Sequence, residues 1–178
     1  MRVLLRARVR RTLTILTTLL VTRVPSIHAQ APSTRADSVA LLITIYGVAF
    51  TNGTQTAHSA GLPEVVCVQG QRPRVDPPRE VLDALQKDRT VLVRPMSACK
   101  TQGLLNAPRG TSLVVDTLTG KRGITVHAGE PTFDADGSFT VQTSYYQHGL
   151  SAADWVCKGR RRSDQSWEIT SCTMTRIS

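Results

Sequence analysis

The C-terminal stretch Ala153–Ile177, ADWVCKGRRRSDQSWEITSCTMTRI, has the pattern of two strands joined by a charged turn. Its middle is rich in Ser and Asp, residue types that favour turns. Opposed residues of an antiparallel pair have a constant index sum, so a turn centred between Asp164 and Gln165 places Cys157 opposite Cys172. The stretch therefore predicts a hairpin closed by a disulfide and makes antiparallel pairing the framework of the fold.

The same register yields two further cross-strand pairs. It places Trp155 opposite Met174 and Arg161 opposite Glu168, the second a pair of opposite charges. Because alternate residues of a strand point to opposite sides, this register leaves both faces of the hairpin partly apolar. It does not decide which face of the sheet is buried.

The chain has 178 residues and four cysteines, and four cysteines allow three pairings. With Cys157 joined to Cys172, the second bridge joins Cys67 to Cys99 and closes a loop of about 33 residues. Two bridges indicate an oxidising compartment. None of the cysteines has the Cys-x-x-Cys spacing of redox enzymes or zinc sites, so we expect no metal and no cofactor.

Residues 1–29 have the three parts of an export signal. Arginines occupy the start through Arg11, an apolar and threonine-containing run follows, and the small residue Ala29 stands at the expected cleavage point. The run from Arg11 to Arg23 is too short to cross about 30 Å of hydrocarbon as a helix. We interpret 1–29 as a signal peptide of the general or the twin-arginine route, and expect a periplasmic or extracellular protein without a stable membrane anchor.

The positive charge of the chain is concentrated in this leader. The whole sequence has 22 Lys and Arg against 13 Asp and Glu, a formal net charge of +9. Six of the arginines and no acidic residue precede residue 30, so the remainder carries 16 basic against 13 acidic residues, or +3. A balance this small argues against nucleic acid as the partner. The partner is unknown, with a small molecule or a protein of the cell envelope as the candidates.

The remainder is predicted to be a single α+β domain over residues 37–178, preceded by a flexible N-terminus over residues 30–36. A helix capped by Asp37 or Ser38 is expected to run to about Phe50, although its β-branched residues also allow a strand. A loop and a short second helix are predicted to follow, over Thr51–Pro63 and Arg79–Lys87.

Short strands alternate with turns in the rest of the chain. They are predicted at Glu64–Val68, Thr90–Arg94, Ser112–Asp116, Gly123–His127, Ser138–Tyr146, Ala153–Arg160 and Trp167–Ile177. Turn sequences such as Asp134–Gly137 separate the last five. Short connections favour antiparallel neighbours, so we expect a curved antiparallel meander of four to five strands with both helices packed on one face.

This order of elements, ending in the run Ser166–Trp167–Glu168–Ile169, resembles the small cystatin-like and NTF2-like α+β folds. Within that group it is similar to uncharacterised exported bacterial domains. The resemblance covers residues 37–178 as a pattern of elements and supplies no active-site signature. NTF2-like relatives include isomerases, dehydratases and pure binding or assembly modules, so the resemblance does not decide the function.

Two histidines are the candidate catalytic residues. His127 lies on a predicted strand, and His148 lies beside a glycine in a predicted loop. If the sheet curls around a pocket, either imidazole would act as a general base with a nearby carboxylate, from Asp116, Asp154 or Glu130. The sequence has no His-x-x-x-His pair, so the histidines do not predict a metal site.

These observations lead to two hypotheses of function. The leading one is an exported, disulfide-stabilised domain that acts as a binding or assembly module rather than as an enzyme, because no catalytic motif is present. The alternative is a small hydrolase or isomerase with a pocket between the first helix and the sheet. His127 or His148 and a carboxylate would be its acid and base.

Overall fold

In the computed structural model of the protein, two helices pack on a curled, half-barrel sheet. The structure describes residues 31–57, 63–72, 75–87, 89–103, 112–149 and 151–177, so the predicted signal peptide lies outside the described residues. Within those ranges the elements are α1 (Arg35–Ala57), β1 (Val65–Gln69), α2 (Arg79–Gln86), β2 (Leu92–Pro95), β3 (Cys99–Gly103), β4 (Ser112–Asp116), β5 (Arg122–Ala128), β6 (Thr132–Phe133), β7 (Phe139–His148), β8 (Ser151–Arg161) and β9 (Trp167–Ile177). A 3₁₀ turn, Met96–Ala98, links β2 to β3.

The sheet is mixed and larger than the sequence predicts. Its strands follow the order β2-β1-β5-β4-β7-β8-β9, with β3 paired to β4 and β6 paired to β7. β1 runs parallel to both β2 and β5, whereas the other pairs are antiparallel. The α+β class is confirmed, but the purely antiparallel meander of four to five strands is wrong. The reason is that α2 forms a crossover between β1 and β2, and a crossover connection makes the strands that it joins parallel.

Helix α1 is longer than predicted, and the expected loop from Thr51 onward is wrong as far as Ala57. Threonine hydroxyls in this segment donate to the carbonyl four residues earlier, so they are satisfied within the helix, at Thr51, Thr54 and Thr56. Gly53 is buried, and a Cβ placed there would lie 3.0 Å from Tyr145 Cβ. The helix therefore continues through this segment, because a residue without a side chain at position 53 lets α1 pack closely against Tyr145 of the sheet.

Length and composition alone would also allow α1 to cross a membrane. In the structure its buried side chains include Leu41, Ile45 and Phe50, which belong to the hydrophobic core. A core helix that is covered over much of its surface has the same composition as a span. The packing therefore accounts for the apolar character of this segment.

The start of α1 also differs from the prediction, because Thr34 is its N-cap and Asp37 lies one turn inside. Thr34 Oγ1 accepts a hydrogen bond from the Asp37 N–H at 3.1 Å, and Asp37 Oδ2 accepts one from the Ser33 N–H at 3.3 Å. This exchange satisfies two N–H groups at a helix start, as in a capping box. It also leaves the second carboxylate oxygen of Asp37 free for a partner from elsewhere in the chain.

The hairpin of β8 and β9 confirms the predicted disulfide. Cys157 and Cys172 are opposed in the register, with their Cα atoms 4.0 Å apart. Trp155 also lies opposite Met174, as predicted. The second bridge, Cys67–Cys99, forms as well and ties β1 to the first residue of β3.

One predicted pair of this hairpin is wrong, because the register shifts between Lys158 and Gly159. Beyond the shift, Arg160 lies opposite Glu168 and Arg161 lies opposite Trp167. A one-residue shift moves each side chain to the other face of a strand. It turns Trp167 to the face that carries Trp155 and Cys157 and directs Arg161 toward α1.

Asp37 receives both of these side chains. Its Oδ1 accepts hydrogen bonds from Arg161 Nη2 at 3.0 Å and from Trp167 Nε1 at 2.8 Å. The Arg161 guanidinium also lies 5.1 Å from the centre of the Trp167 ring. The Asp37 side chain is only 9% exposed, so this anchor joins the first helix to the last hairpin in a largely buried site.

The two faces of the sheet are covered differently. One face packs against the helices, through core residues such as Ile45 of α1 and Ile124 and Val126 of β5. On the opposite side a smaller apolar group surrounds the Cys67–Cys99 bridge. In the described part of the chain no helix covers the rest of that side. We call it the open face, meaning the side of β5, β7, β8 and β9 that points away from α1.

Removal of the Asp37 carboxylate tests the anchor. Asp37→Ala leaves the Arg161 guanidinium and the Trp167 N–H without their acceptor in a largely buried site. We therefore expect the free energy of unfolding to fall by about 2–4 kcal/mol. Urea unfolding measures the change.

The matched control is Asp83→Ala on α2, where the exposed carboxylate lies 3.6 Å from Arg79. An exposed pair of this kind contributes about 0.5 kcal/mol or less. Equal losses of stability in the two variants would contradict the anchoring role of Asp37.

Candidate functional site

Four polar side chains form a row across the open face. The strand register places Ser144 of β7 between His127 of β5 and Asp154 of β8. It then places Asp154 opposite Arg176 of β9. Adjacent strands lie about 4.8 Å apart, so the row brings residues from four segments of the chain into one line.

Three members of this row, His127, Ser144 and Asp154, line a groove of about 330 Å³. Residues with hydrogen-bonding side chains that line it include His127, Gln142, Ser144, Asp154 and Thr175. Protein cavities that hold small molecules begin at about 300 Å³. The groove therefore has room for one small molecule on a polar surface.

The negative charge of Asp154 in the row is balanced by the positive charge of Arg176. Asp154 Oδ2 lies 2.8 Å from Arg176 Nε, and the Thr175 hydroxyl donates to the Asp154 carbonyl oxygen at 3.2 Å. These two contacts hold β8 and β9 together at the edge of the groove. The carboxylate therefore brings little net charge to the groove.

His127 lies at the other end of the row and is half-buried. Burial lowers the pKa of its imidazole below the ordinary value, because a partly desolvated site disfavours the charged form. Among the described residues it has no hydrogen-bond or ion-pair partner, and neither do the side chains of Gln142 and Ser144. A neutral imidazole offers one donor and one acceptor, so the groove presents free groups of both kinds.

The second candidate, His148, lies away from this groove. It is the last residue of β7, where it is paired with Leu113 and Ser151. Four residues along a strand separate it from Ser144, a distance of roughly 13 Å. The two candidate histidines therefore do not belong to one site.

Of the three carboxylates considered with the histidines, only Asp154 shares the row with His127. Asp116 is fully buried and accepts a hydrogen bond from the Thr119 hydroxyl at 2.6 Å, which holds the pKa of the carboxyl below its usual range. Glu130 is exposed and lies 3.2 Å from Arg72. Both acids have structural partners away from the row.

The space between α1 and the sheet is filled by packed side chains. Ile45, Tyr46 and Phe50 of α1 and Val126 of β5 belong to the buried core. The Tyr46 hydroxyl donates to the Gln69 carbonyl oxygen at 2.8 Å, and burial raises the pKa of this phenol. Two cavities do lie beside α1, one of about 400 Å³ at Phe50 and Thr54 and one of about 320 Å³ at Leu42 and Tyr46, but neither His127 nor His148 lines them.

The predicted turn sequence Asp134–Gly137 forms the turn of the β6–β7 hairpin. Its two carboxylates accept hydrogen bonds from the Ser138 hydroxyl, and Gly137 has a φ of 77° that suits a turn glycine. Within the described residues no group of three or more His, Cys, Asp or Glu side chains could hold a metal ion.

No protein-family model matches the sequence, and the comparisons with curated proteins and with solved structures found no significant match. The cystatin-like or NTF2-like resemblance therefore gains no support from them. What the structure supports is an α+β domain with a curled half-barrel sheet and two disulfides.

Sequence reasoning missed three groove residues, Gln142, Ser144 and Thr175. Gln142 and Ser144 alternate with the buried residues of β7, and this alternation marks them as one face of a strand. The register that aligns them with His127 depends on pairing between strands that are not adjacent in the sequence. The polar face was therefore detectable, but its assembly into a row was not.

The pH dependence of His127 tests its environment. Because the folded state disfavours the charged imidazole, the unfolded chain binds more protons as pH falls through about 6.5, so stability is lost toward acid pH. We expect the NMR titration midpoint of His127 to lie below its ordinary value. Urea unfolding at several pH values should show a smaller loss toward acid in His127→Ala. A midpoint at or above the ordinary value would contradict this description.

Proposed function

We propose that the chain is an exported, disulfide-stabilised binding module that holds a small neutral polar molecule in the groove of the open face. The observation that carries the proposal is the row of His127, Ser144 and Asp154, which aligns hydrogen-bonding groups from three adjacent strands. A site built on strands holds its groups in fixed positions. Such preorganisation lowers the entropic cost of binding a ligand.

The charges of the groove favour a neutral ligand. Arg176 balances Asp154 at 2.8 Å, and the lowered pKa of His127 keeps its ring uncharged at neutral pH. The remaining polar groups are hydroxyls and an amide. Sugars and amide-bearing molecules are the ligand class that matches such a mixture of neutral donors and acceptors.

Binding is favoured over catalysis because the row lacks an activated group. Among the described residues no hydrogen bond joins His127 to Ser144, and Asp154 is held by Arg176 rather than by the imidazole. A nucleophile and its general base normally lie within hydrogen-bond reach of each other. The second candidate function, a small hydrolase or isomerase with His127 as the base, rests on the shared row of His127 and Asp154.

Export is part of this proposal. All four cysteines are paired, and paired cysteines persist in oxidising compartments. The arginine-rich leader and its small residue Ala29 support cleavage before Gln30. The intact mass of the protein recovered from the export compartment reports whether this cleavage occurs.

Ligand titration of that recovered protein tests the binding function. The probes are glucose, N-acetylglucosamine and N-acetylglycinamide, with acetate and methylammonium as charged comparisons. We expect a neutral probe to shift the NMR signals of His127 and Ser144, and His127→Ala to weaken its binding about tenfold, since one hydrogen bond is lost.

His148→Ala is the matched control, because it removes the same kind of side chain from the same sheet, at the end of β7 and outside the groove. It should bind the probe as the unaltered protein does. Equal weakening by the two variants, or signal shifts away from the open face, would contradict the proposed site. Turnover of an ester or a ketone that His127→Ala abolishes would favour the enzymatic candidate instead.

A further inference from the structure

Strand β9 is an unusually open edge of the sheet. It has eleven residues and, in the described part of the chain, pairs only with β8. Its central run Thr170–Thr175 contains no charged residue and no proline. Two of its apolar side chains are exposed, Met174 by 44% and Ile177 by 65%. The strand therefore presents a long row of backbone groups and apolar side chains to solvent.

The other edge strands have the usual protection against pairing with another chain. β2 has only four residues and ends in Pro95, which has no N–H to donate. β3 has five residues and carries Lys100 near its start. Natural proteins shorten their edges or place proline and lysine on them because a bare edge pairs with other strands. Along its centre β9 has no proline and no lysine, and its only irregularities are the two register shifts in its pairing with β8, at Thr170 and Thr175.

We propose that β9 pairs with β9 of a second copy, antiparallel about a twofold axis, so that the two sheets become continuous. A twofold contact uses the same patch on both copies. The strand must therefore be complementary to its own reverse, and the charges of β9 meet this requirement.

The charged residues of β9 are arranged for this pairing. Glu168 lies near one end and Arg176 near the other, at equal sequence distances from Cys172. Antiparallel pairing centred on Cys172 brings Glu168 of each copy opposite Arg176 of the other. Within its own copy, Glu168 already lies 2.8 Å from Arg160, and Arg176 lies 2.8 Å from Asp154. In the dimer, Arg160 and Glu168 of one copy and Arg176 and Asp154 of the other would then form a row of charges that alternate in sign. The twofold symmetry produces a second, identical row.

The apolar residues fit the same register. Pairing about Cys172 places Ile177, the most exposed apolar residue of β9, opposite Trp167 of the second copy. Met174 is placed opposite Thr170, whose methyl group gives it an apolar surface. The contact would therefore bury the two exposed apolar side chains and satisfy the backbone of the edge at once. An unrelated extended peptide would satisfy the backbone without matching the charges at both ends.

Charge reversal with complementation tests this arrangement. Glu168→Arg and Arg176→Glu each place two like-charged pairs in a dimer of identical copies, and like charges directly opposite each other are destabilising. An equal mixture of the two variants restores an opposite-charge pair at both positions. Sedimentation analysis of the oxidised protein over a range of concentrations measures the association.

We expect the unaltered protein to dimerise, each single variant to weaken the dimer about tenfold or more, and the mixture to recover it. Recovery in the mixture also shows that the two variants are folded. Arg79→Glu on α2, an exposed arginine away from β9, is the matched control and should dimerise normally.

Thr173→Lys provides an independent test, because it puts a lysine at the centre of the edge without touching an ion pair. It should be monomeric with an unchanged circular dichroism spectrum. The proposal is overturned if the unaltered protein stays monomeric at its highest soluble concentration. It is also overturned if Thr173→Lys dimerises as well as the unaltered protein, or if the mixture associates no better than the single variants.

Discussion

The arrangement of α1 against the β8–β9 hairpin depends on the hydrogen bonds that the Asp37 carboxylate accepts. This carboxylate lies in the first turn of α1 and accepts hydrogen bonds from Arg161 and Trp167, more than 120 residues later in the chain. The bonds are charge-assisted and largely buried, conditions in which removal of one partner is costly. This contact holds the beginning of the first helix against the last hairpin and fixes which face of the sheet α1 covers.

The register shift near Gly159 makes that contact geometrically possible. A Cβ at this position would lie 2.3 Å from Phe139 Cζ and 2.5 Å from the Glu168 carbonyl oxygen, so only glycine allows the close approach. Trp167 then packs beside Phe133 and Phe139, with ring centres 5.8–6.0 Å apart. The shift sends apolar and anchoring residues to the helix side, and it leaves Glu168 with Arg160 on the open face.

The open face is exposed because the helices pack on the other face of the sheet. Because the helices pack on one side of the sheet, the polar row of His127, Ser144 and Asp154 remains on the other, where it lines a groove. Arg176 belongs both to that row and to the charge pattern of the β9 edge. The proposed ligand groove and the proposed pairing edge thus lie on adjoining parts of one surface.

Local features of the fold could be predicted from the sequence, and long-range ones could not. The Cys157–Cys172 hairpin and the bounds of β4 and β9 depend on neighbouring residues, and these predictions are confirmed. The turn itself is centred on Asp164 rather than between Asp164 and Gln165, because the register shifts before it. The parallel pairing of β1 with β5 depends on strands far apart in the chain, and short apolar runs do not specify a partner. The extension of α1 to Ala57 depends on the fit of Gly53 against Tyr145, which overrides the local preference of Gly and Thr for loops.

For the candidate site, too, the sequence predicted the residue types but not their arrangement in space. His127 and Asp154 could be named as candidates by residue type, but their common row depends on the register of three strands. The inward direction of Arg161 depends on a one-residue shift that no local pattern of charge or hydropathy marks. Residue chemistry was therefore available from the sequence, and residue proximity was not.

Hydrogen exchange of the Trp167 indole proton, followed by NMR at neutral pH, tests the central anchor most directly. The chain has two tryptophans, so two indole signals are expected, and only Trp167 donates its indole N–H to a carboxylate in the structure. If Asp37 holds the hairpin as described, this proton exchanges only when the β8–β9 hairpin opens, as slowly as the backbone amides of β8. Exchange at the rate of a free indole would show that the contact does not form and would contradict the account.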